Sequence, residues 1–130
     1  MKQECEDWDE IAANQEYYED SELLLRRAVK RAPHYARAWL DLSATQMKIE
    51  KNAEAVSSAE QLVKLTPQIA ESHIALANAQ AKLNLTDLAI ESYRSALKIS
   101  PQHPGAFMGL AHQLKTIGRQ QESIEVYRQN

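Results

Sequence analysis

Pro33, Pro67 and Pro101 fall 34 residues apart, and the residues around them repeat with them. From Ala32 the chain runs Ala-Pro-His-Tyr-Ala-Arg-Ala-Trp-Leu-Asp-Leu. From Thr66 it runs Thr-Pro-Gln-Ile-Ala-Glu-Ser-His-Ile-Ala-Leu, and from Ser100 Ser-Pro-Gln-His-Pro-Gly-Ala-Phe-Met-Gly-Leu. A fixed period of this length makes the chain a stack of one supersecondary unit, not a single irregular core.

Composition says which unit. With 3 Gly and 4 Pro in 130 residues, helices are rarely interrupted, and 44% hydrophobic residues suffice for a core. Ala, Leu, Glu, Lys and Gln are frequent, which favours helix, and no alternating β-branched runs occur. No apolar run approaches the roughly 18–20 residues that span a bilayer. The polar, acidic start is no secretory signal peptide. The single Cys5 cannot form an internal disulfide, which fits a reducing cytoplasm.

Charge is unevenly distributed. Residues 1–22 hold nine acids and one base, a net −8, whereas residues 23–130 hold nine acids and 14 bases, a net +5. A solvated, charged end is what a solenoid needs for solubility. The sharper reading is an acidic segment folding onto Arg26, Arg27, Lys30, Arg31 and Arg37. Glu22 and Arg26, at i,i+4, can pair across one helical turn. The basic excess is modest and no aromatics interleave with it, so nucleic acid is not the expected partner.

Phasing the chain with position 1 three residues after each proline gives units starting at Ala36, Ala70 and Pro104, and by extrapolation Lys2. Position 4 is then Cys5, Trp39, His73 and Phe107, and position 7 Trp8, Leu42, Leu76 and Leu110. Position 8 is Asp9, Ser43, Ala77 and Ala111, and position 20 Ser21, Ala55, Ala89 and Ser123. Position 24 is Leu25, Ala59, Tyr93 and Tyr127. Positions 4, 7, 8 and 11 form one helical stripe, and 20, 24 and 27 another. Small residues at 8 and 20 let two helices approach, and large ones at 4, 7 and 24 fill the surrounding space. Between the stripes stand Glu50, Asn84 and Gly118, where a left-handed residue turns the chain back. The proline ends the second helix, because the residue before it is driven out of the helical region.

The units resemble the tetratricopeptide repeat over nearly the whole chain. The family pattern is carried by Trp39, Leu42, Ala55 and Pro67. It recurs in Leu76, Ala77, Ala89, Tyr93, Ala96 and Pro101, then in Phe107, Leu110, Ala111 and Tyr127. The first unit departs from it at Cys5 and Asp9. The resemblance implies an all-α, right-handed α-solenoid of antiparallel helix hairpins. The units are 2–35 (degenerate), 36–69, 70–103 and 104–130 (truncated), and the expected helix pairs 2–15/18–31, 36–49/53–65, 70–83/87–99 and 104–117/121–130. Because the chain stops inside the last helix, with Ile124, Val126 and Tyr127 short of cover, the expectation is a fragment of a longer protein able to self-associate through that end.

Residues that carry chemistry are not assembled. Gly105 and Gly109 lie within a helix without the Lys-Ser/Thr of a phosphate-binding loop and suit close packing or a groove floor instead. His34, His73, His103 and His112 show no metal-ligand spacing. His73 takes the stripe position of Trp39 and Phe107, as a satisfied half-core histidine would. Cys5 has no His or cation near it to create a thiolate. Neither cofactor nor metal is expected, and no catalysis from this chain.

The resemblance implies that the first helix of each pair lines a concave groove through positions 2, 5, 6, 9, 12 and 13. The second unit supplies Arg37, Leu40, Asp41, Ala44, Met47 and Lys48. The third supplies Glu71, Ile74, Ala75, Asn78, Ala81 and Lys82, and the last Gly105, Met108, Gly109, His112, Lys115 and Thr116. Leu40, Met47, Ile74 and Met108 form an apolar stripe suited to a peptide or partner helix, with Arg37, Asn78, His112 and Lys115 setting polarity. The opposite expectation is that these apolar side chains pack against neighbouring helices. A clamp for a peptide carboxylate is not expected: Asn78 alone stands at a clamp-like place, and position 5 is Leu40, Ile74 or Met108 where a Lys is needed.

The run His112-Gln-Leu-Lys-Thr-Ile-Gly-Arg-Gln120, followed by Glu-Ser-Ile and Tyr-Arg, is similar to repeat arrays preceding the sulfotransferase domain of bacterial tetratricopeptide-sulfotransferase proteins. The expectation is a non-catalytic, cytoplasmic protein-interaction scaffold. The alternative is the regulatory or substrate-recruiting module of a larger enzyme whose catalytic domain follows Asn130. Changing Leu40 and Ile74 to Asp is expected to abolish partner capture without unfolding the chain.

Overall fold

The computed structural model describes the backbone of residues 2–116 and the side chains of residues 15–116. Six helices account for it: α1 (Lys2–Arg31), α2 (Ala36–Lys48), α3 (Asn52–Leu65), α4 (Ala70–Lys82), α5 (Thr86–Ile99) and α6 (Pro104–Thr116). Each packs on its neighbours in sequence. In addition α2 touches α4 and α4 touches α6, so the first helices of successive units form one continuous face. The result is an all-helical solenoid. The expected helix 121–130, Gly118 and the chain-end self-association surface lie outside the described residues.

Each proline sits inside a repeated turn. The residue before it accepts a hydrogen bond from the N–H three residues on: Tyr35 to Ala32 (3.0 Å), Ile69 to Thr66 (3.3 Å) and His103 to Ser100 (3.1 Å). Proline suits the second place of such a turn because its φ is already set. Position 4 then locks the turn. Trp39 Nε1 donates to the Pro33 carbonyl at 2.9 Å, and His73 Nε2 lies 2.9 Å from the Pro67 carbonyl. His73 is thus half-buried and satisfied, as its place on the stripe predicts.

The turn inside each hairpin is a Schellman motif. The Lys51 N–H bonds to the Gln46 carbonyl (2.8 Å) and the Leu85 N–H to the Gln80 carbonyl (2.9 Å), with Glu50 at φ 63° and Asn84 at φ 62°. Asn tolerates that left-handed conformation, whereas Glu is strained in it. Glu50→Gly is therefore expected to stabilise the fold by about 0.5–1 kcal/mol, read as a higher denaturant midpoint at unchanged slope.

Small residues mark the closest helix approaches. Ala55, Ala59, Ala77, Ala89, Ala96 and Ala111 are all at 0% exposure. Ser43 Oγ donates to the Ala55 carbonyl at 3.1 Å, joining positions 8 and 20 directly. Two buried polar pairs repeat with the period: Ser58 Oγ donates to Gln46 Oε1 and Ser92 Oγ to Gln80 Oε1, both at 2.7 Å. They tie the two helices of a hairpin at positions 11 and 23. The recurrence of Gln and Ser 34 residues apart is a sequence signal for them.

The first unit departs from expectation. Residues 2–31 form one continuous helix, not the pair 2–15/18–31. The turn there falls to Glu16, with Tyr17 and Tyr18 after it. Glu50 and Asn84 leave the helix in the left-handed region at the equivalent place, whereas at Glu16 the helix runs on.

Candidate interaction groove

The predicted groove positions are divided among separate clefts, two of them at opposite ends of the first helices. Positions 9, 12 and 13 build the larger, with a volume of 760 Å³. Its walls are Ala44, Met47 and Lys48 of α2, Asn78, Ala81 and Lys82 of α4, and His112 and Gln113 of α6. Glu50 and Asn52 border it from the hairpin turn, and Tyr93 of α5 reaches it from below. Positions 2 and 5 contribute to the smaller, of 180 Å³, where Arg37 and Leu40 of α2 and Glu71 of α4 meet Leu62, Thr66, Ile69 and Ser72.

The continuous apolar stripe is not formed. Leu40 is half-buried against Ala59, Leu62 and Ala75, and Ile74 is half-buried between two core clusters that include Tyr93, Ala96 and Leu110. Position 5 faces the packed neighbouring helices, so an Asp at either place attacks the fold as well as the groove. Met47 forms cleft wall, and Met108 is 61% exposed on α6. His112 and Lys115 are exposed on the same helix.

The polar residues are partly engaged already. Arg37 Nε lies 3.3 Å from Asp41 Oδ1, an exposed pair of small energetic weight. His103 Nε2 lies 3.5 Å from Glu71 Oε1. Lys48 Nζ reaches the Tyr18 hydroxyl at 3.3 Å and sits 4.7 Å from that ring's centroid, a cation–π contact. Tyr93 Oη donates to Asn78 Oδ1, and burial pushes the Tyr93 hydroxyl pKa up. By contrast Asn52 Oδ1, on the wall of the larger cleft, is buried without a hydrogen-bond partner. A buried acceptor left unpaired is costly.

Beneath the groove the ring of Tyr93 lies against Gly109. A Cβ built on Gly109 stands 2.3 Å from Tyr93 Cζ. One period earlier the same positions hold Ala59 and Ala75, which share a cluster. The large ring and the missing side chain are thus complementary, and Gly109 is a close-packing residue.

Sequence reading missed one polar centre. Glu22 is 2% exposed at position 21, where Val56 and Ile90 stand in the next units. Besides the anticipated Arg26 (3.1 Å), it takes hydrogen bonds from Lys51 Nζ (2.8 Å) and Gln46 Nε2 (3.2 Å). Burial alone raises its pKa; the bonds from Lys51 and Gln46 and the charges of Arg26 and Lys51 outweigh it and hold the carboxyl below its ordinary value. An acidic residue in an apolar register position is the signal that could have found it.

Among the described residues no three His, Cys, Asp or Glu side chains come together to hold a metal ion, and no helix is long and apolar enough to cross a membrane. A family model described as tetratricopeptide repeat matches residues 40–104. No curated protein matches the chain in sequence. Solved structures of MamA share the fold. One superposes with a TM-score of 0.80 at 22% identity, covering 85% of this chain and 65% of its own. MamA residues 41 to the end from Desulfovibrio magneticus RS-1 give 0.82 at 19% identity, covering 90% and 66%. The chain thus spans about two thirds of the MamA chains it matches, and at these identities the likeness shows the fold alone.

Proposed function

Since the chain belongs to the tetratricopeptide-repeat family, a fold that generally mediates protein–protein contact, we propose that it is a non-catalytic cytoplasmic interaction module that docks a peptide or partner helix in the larger cleft. The observation that carries this reading is the make-up of that cleft. It runs across α2, α4 and α6, with Met47, Ala44 and Ala81 as apolar wall. Lys48, Lys82 and His112 stand around it as polar anchors. Flexible Met beside small residues suits a surface that adapts to a ligand. Arg37, Leu40 and Glu71 at the smaller cleft, and Met108 and Lys115 on α6, are proposed to extend the contact.

The test uses Ala44, which is exposed on α2. Ala44→Arg fills the cleft without touching the core. The expected result is loss of at least tenfold in affinity for captured peptides in a helical and extended peptide library, at a thermal midpoint equal to the parent's. Unchanged binding overturns the proposal. The second reading, a recruiting module of a sulfotransferase, rests on residues 112–129 alone, most of them outside the described residues. The family match and the structural neighbours add nothing to it.

A further inference from the structure

Helices α1 and α3 both pack on α2, and among the described residues they do not touch each other. Between them lies a furrow of 450 Å³ with α2 as its floor. The α2 residues in it are Trp39, Leu42 and Gln46. At about 3.6 residues per turn these fall on the face opposite Ala44, Met47 and Lys48 of the larger cleft. The floor is apolar and recessed: Leu42 keeps 3% exposure and Val29 7%. Trp39 is half-buried, and its N–H is already given to the Pro33 carbonyl, so its ring offers the furrow an apolar face. Leu23 stands on the rim at 56% exposure.

The two walls differ in charge. The α1 wall carries Arg26, Arg27 and Lys30, whereas the α3 wall has Glu54 as its charged residue. Arg26 is held by Glu22, but among the described residues Arg27 and Lys30 have no acidic partner. Packing of the solenoid does not call for these side chains. One period on, the same register positions hold Ser57 for Leu23, Glu60 for Arg26, Gln61 for Arg27 and His73 for Trp39. The apolar rim and the arginines are therefore no demand of the repeat.

We propose that this furrow is a second docking site, and that its occupant is an acidic amphipathic helix of a partner protein. The apolar stripe of that helix reaches Trp39 and Leu23, and carboxylates along one flank meet the α1 wall. Arg26 and Arg27 lie within one helical turn of Lys30, so carboxylates three or four residues apart on the partner face them. A helix seated there packs on α1 and α3 together, which no element of the chain does among the described residues. A bilayer surface is flat and cannot reach a floor so recessed, whereas a single side chain can.

Fluorescence anisotropy on the whole chain tests this with synthetic helical peptides that share one apolar stripe and carry Glu, Gln or Lys along one flank. The Glu peptides are expected to bind at least tenfold more tightly than the Lys peptides, and to weaken as salt is added. Leu23→Ser with Arg27→Gln introduces the residues found one period on and changes two exposed side chains. It is expected to weaken the Glu peptides at least tenfold at an unchanged melting temperature. With Trp8→Phe, Trp39 is the single tryptophan, and its emission is expected to move to shorter wavelength as the furrow fills. Ala44→Arg is expected to leave this binding unchanged, which separates the furrow from the larger cleft. Three results each overturn the proposal. One is no preference for Glu over Lys peptides. Another is binding that is lost with Ala44→Arg and kept with Leu23→Ser and Arg27→Gln. The third is a chain that binds phosphatidylserine vesicles and none of the peptides.

Discussion

Gly109→Ala is expected to destabilise the repeat stack by about 1–3 kcal/mol, the usual range for overpacking a filled interior. The added carbon meets Tyr93 Cζ at 2.3 Å and Cε1 at 2.4 Å, with Oη at 2.8 Å. The ring is 4% exposed, and shifting it toward the cleft it borders breaks the bond from its hydroxyl to Asn78. Denaturant unfolding measures the loss. Tyr93→Ala alone opens a cavity and is expected to cost about 3–5 kcal/mol. The double variant recreates the Ala59–Ala75 arrangement and is expected to lose clearly less than the two single losses combined. Additive losses, or a Gly109→Ala variant as stable as the parent, would show that Tyr93 and Gly109 are not matched in volume.

Glu22→Ala is expected to cost about 2–4 kcal/mol, because it leaves the buried Gln46 amide without its acceptor and the Lys51 ammonium without its counter-charge. The estimate sits at the lower end for a broken buried pair, since Arg26 and Lys51 keep about half their exposure. Glu22→Val copies the residue one period on, Val56, and is expected to lose less than Glu22→Ala. The centre also sets an acid dependence. The folded carboxyl has its pKa below the ordinary 4.5, so its stabilisation is complete above about pH 4.5 and is lost as pH falls through the folded value. Urea midpoints measured from neutral pH downwards are expected to fall for the parent over that range and to fall less for Glu22→Gln. Parallel curves would remove Glu22 from the acid response.

How far these features could be read in advance depends on whether they repeat. The Trp39 and His73 ring positions, the left-handed turns at Glu50 and Asn84, and the alanines at helix crossings each recur at 34 residues. One local cause therefore explains several places. The apolar stripe failed for the opposite reason. Position 5 is apolar in three units, Leu40, Ile74 and Met108, but apolar character does not say which neighbour covers it. Leu40 and Ile74 are half-buried against helices of their own and the next unit, while Met108 is exposed on α6. Glu22 was half legible, because Arg26 lies one turn away on its own helix while Gln46 and Lys51 arrive from 24 and 29 residues on.

The sequence by itself determined that the second and third units are helical hairpins, where they turn, and which positions carry small residues at the crossings. Those are properties of local backbone preference and of a period, and both are written in neighbouring residues. Only the tertiary structure decided that the groove divides into separate clefts, that Tyr93 lies against Gly109, and that Glu22 is buried among cations. It also decided that the first unit runs straight and leaves Leu24 uncovered. Each of these depends on which side chain reaches a given space first, and that follows from helices packing in three dimensions, not from spacing along the chain.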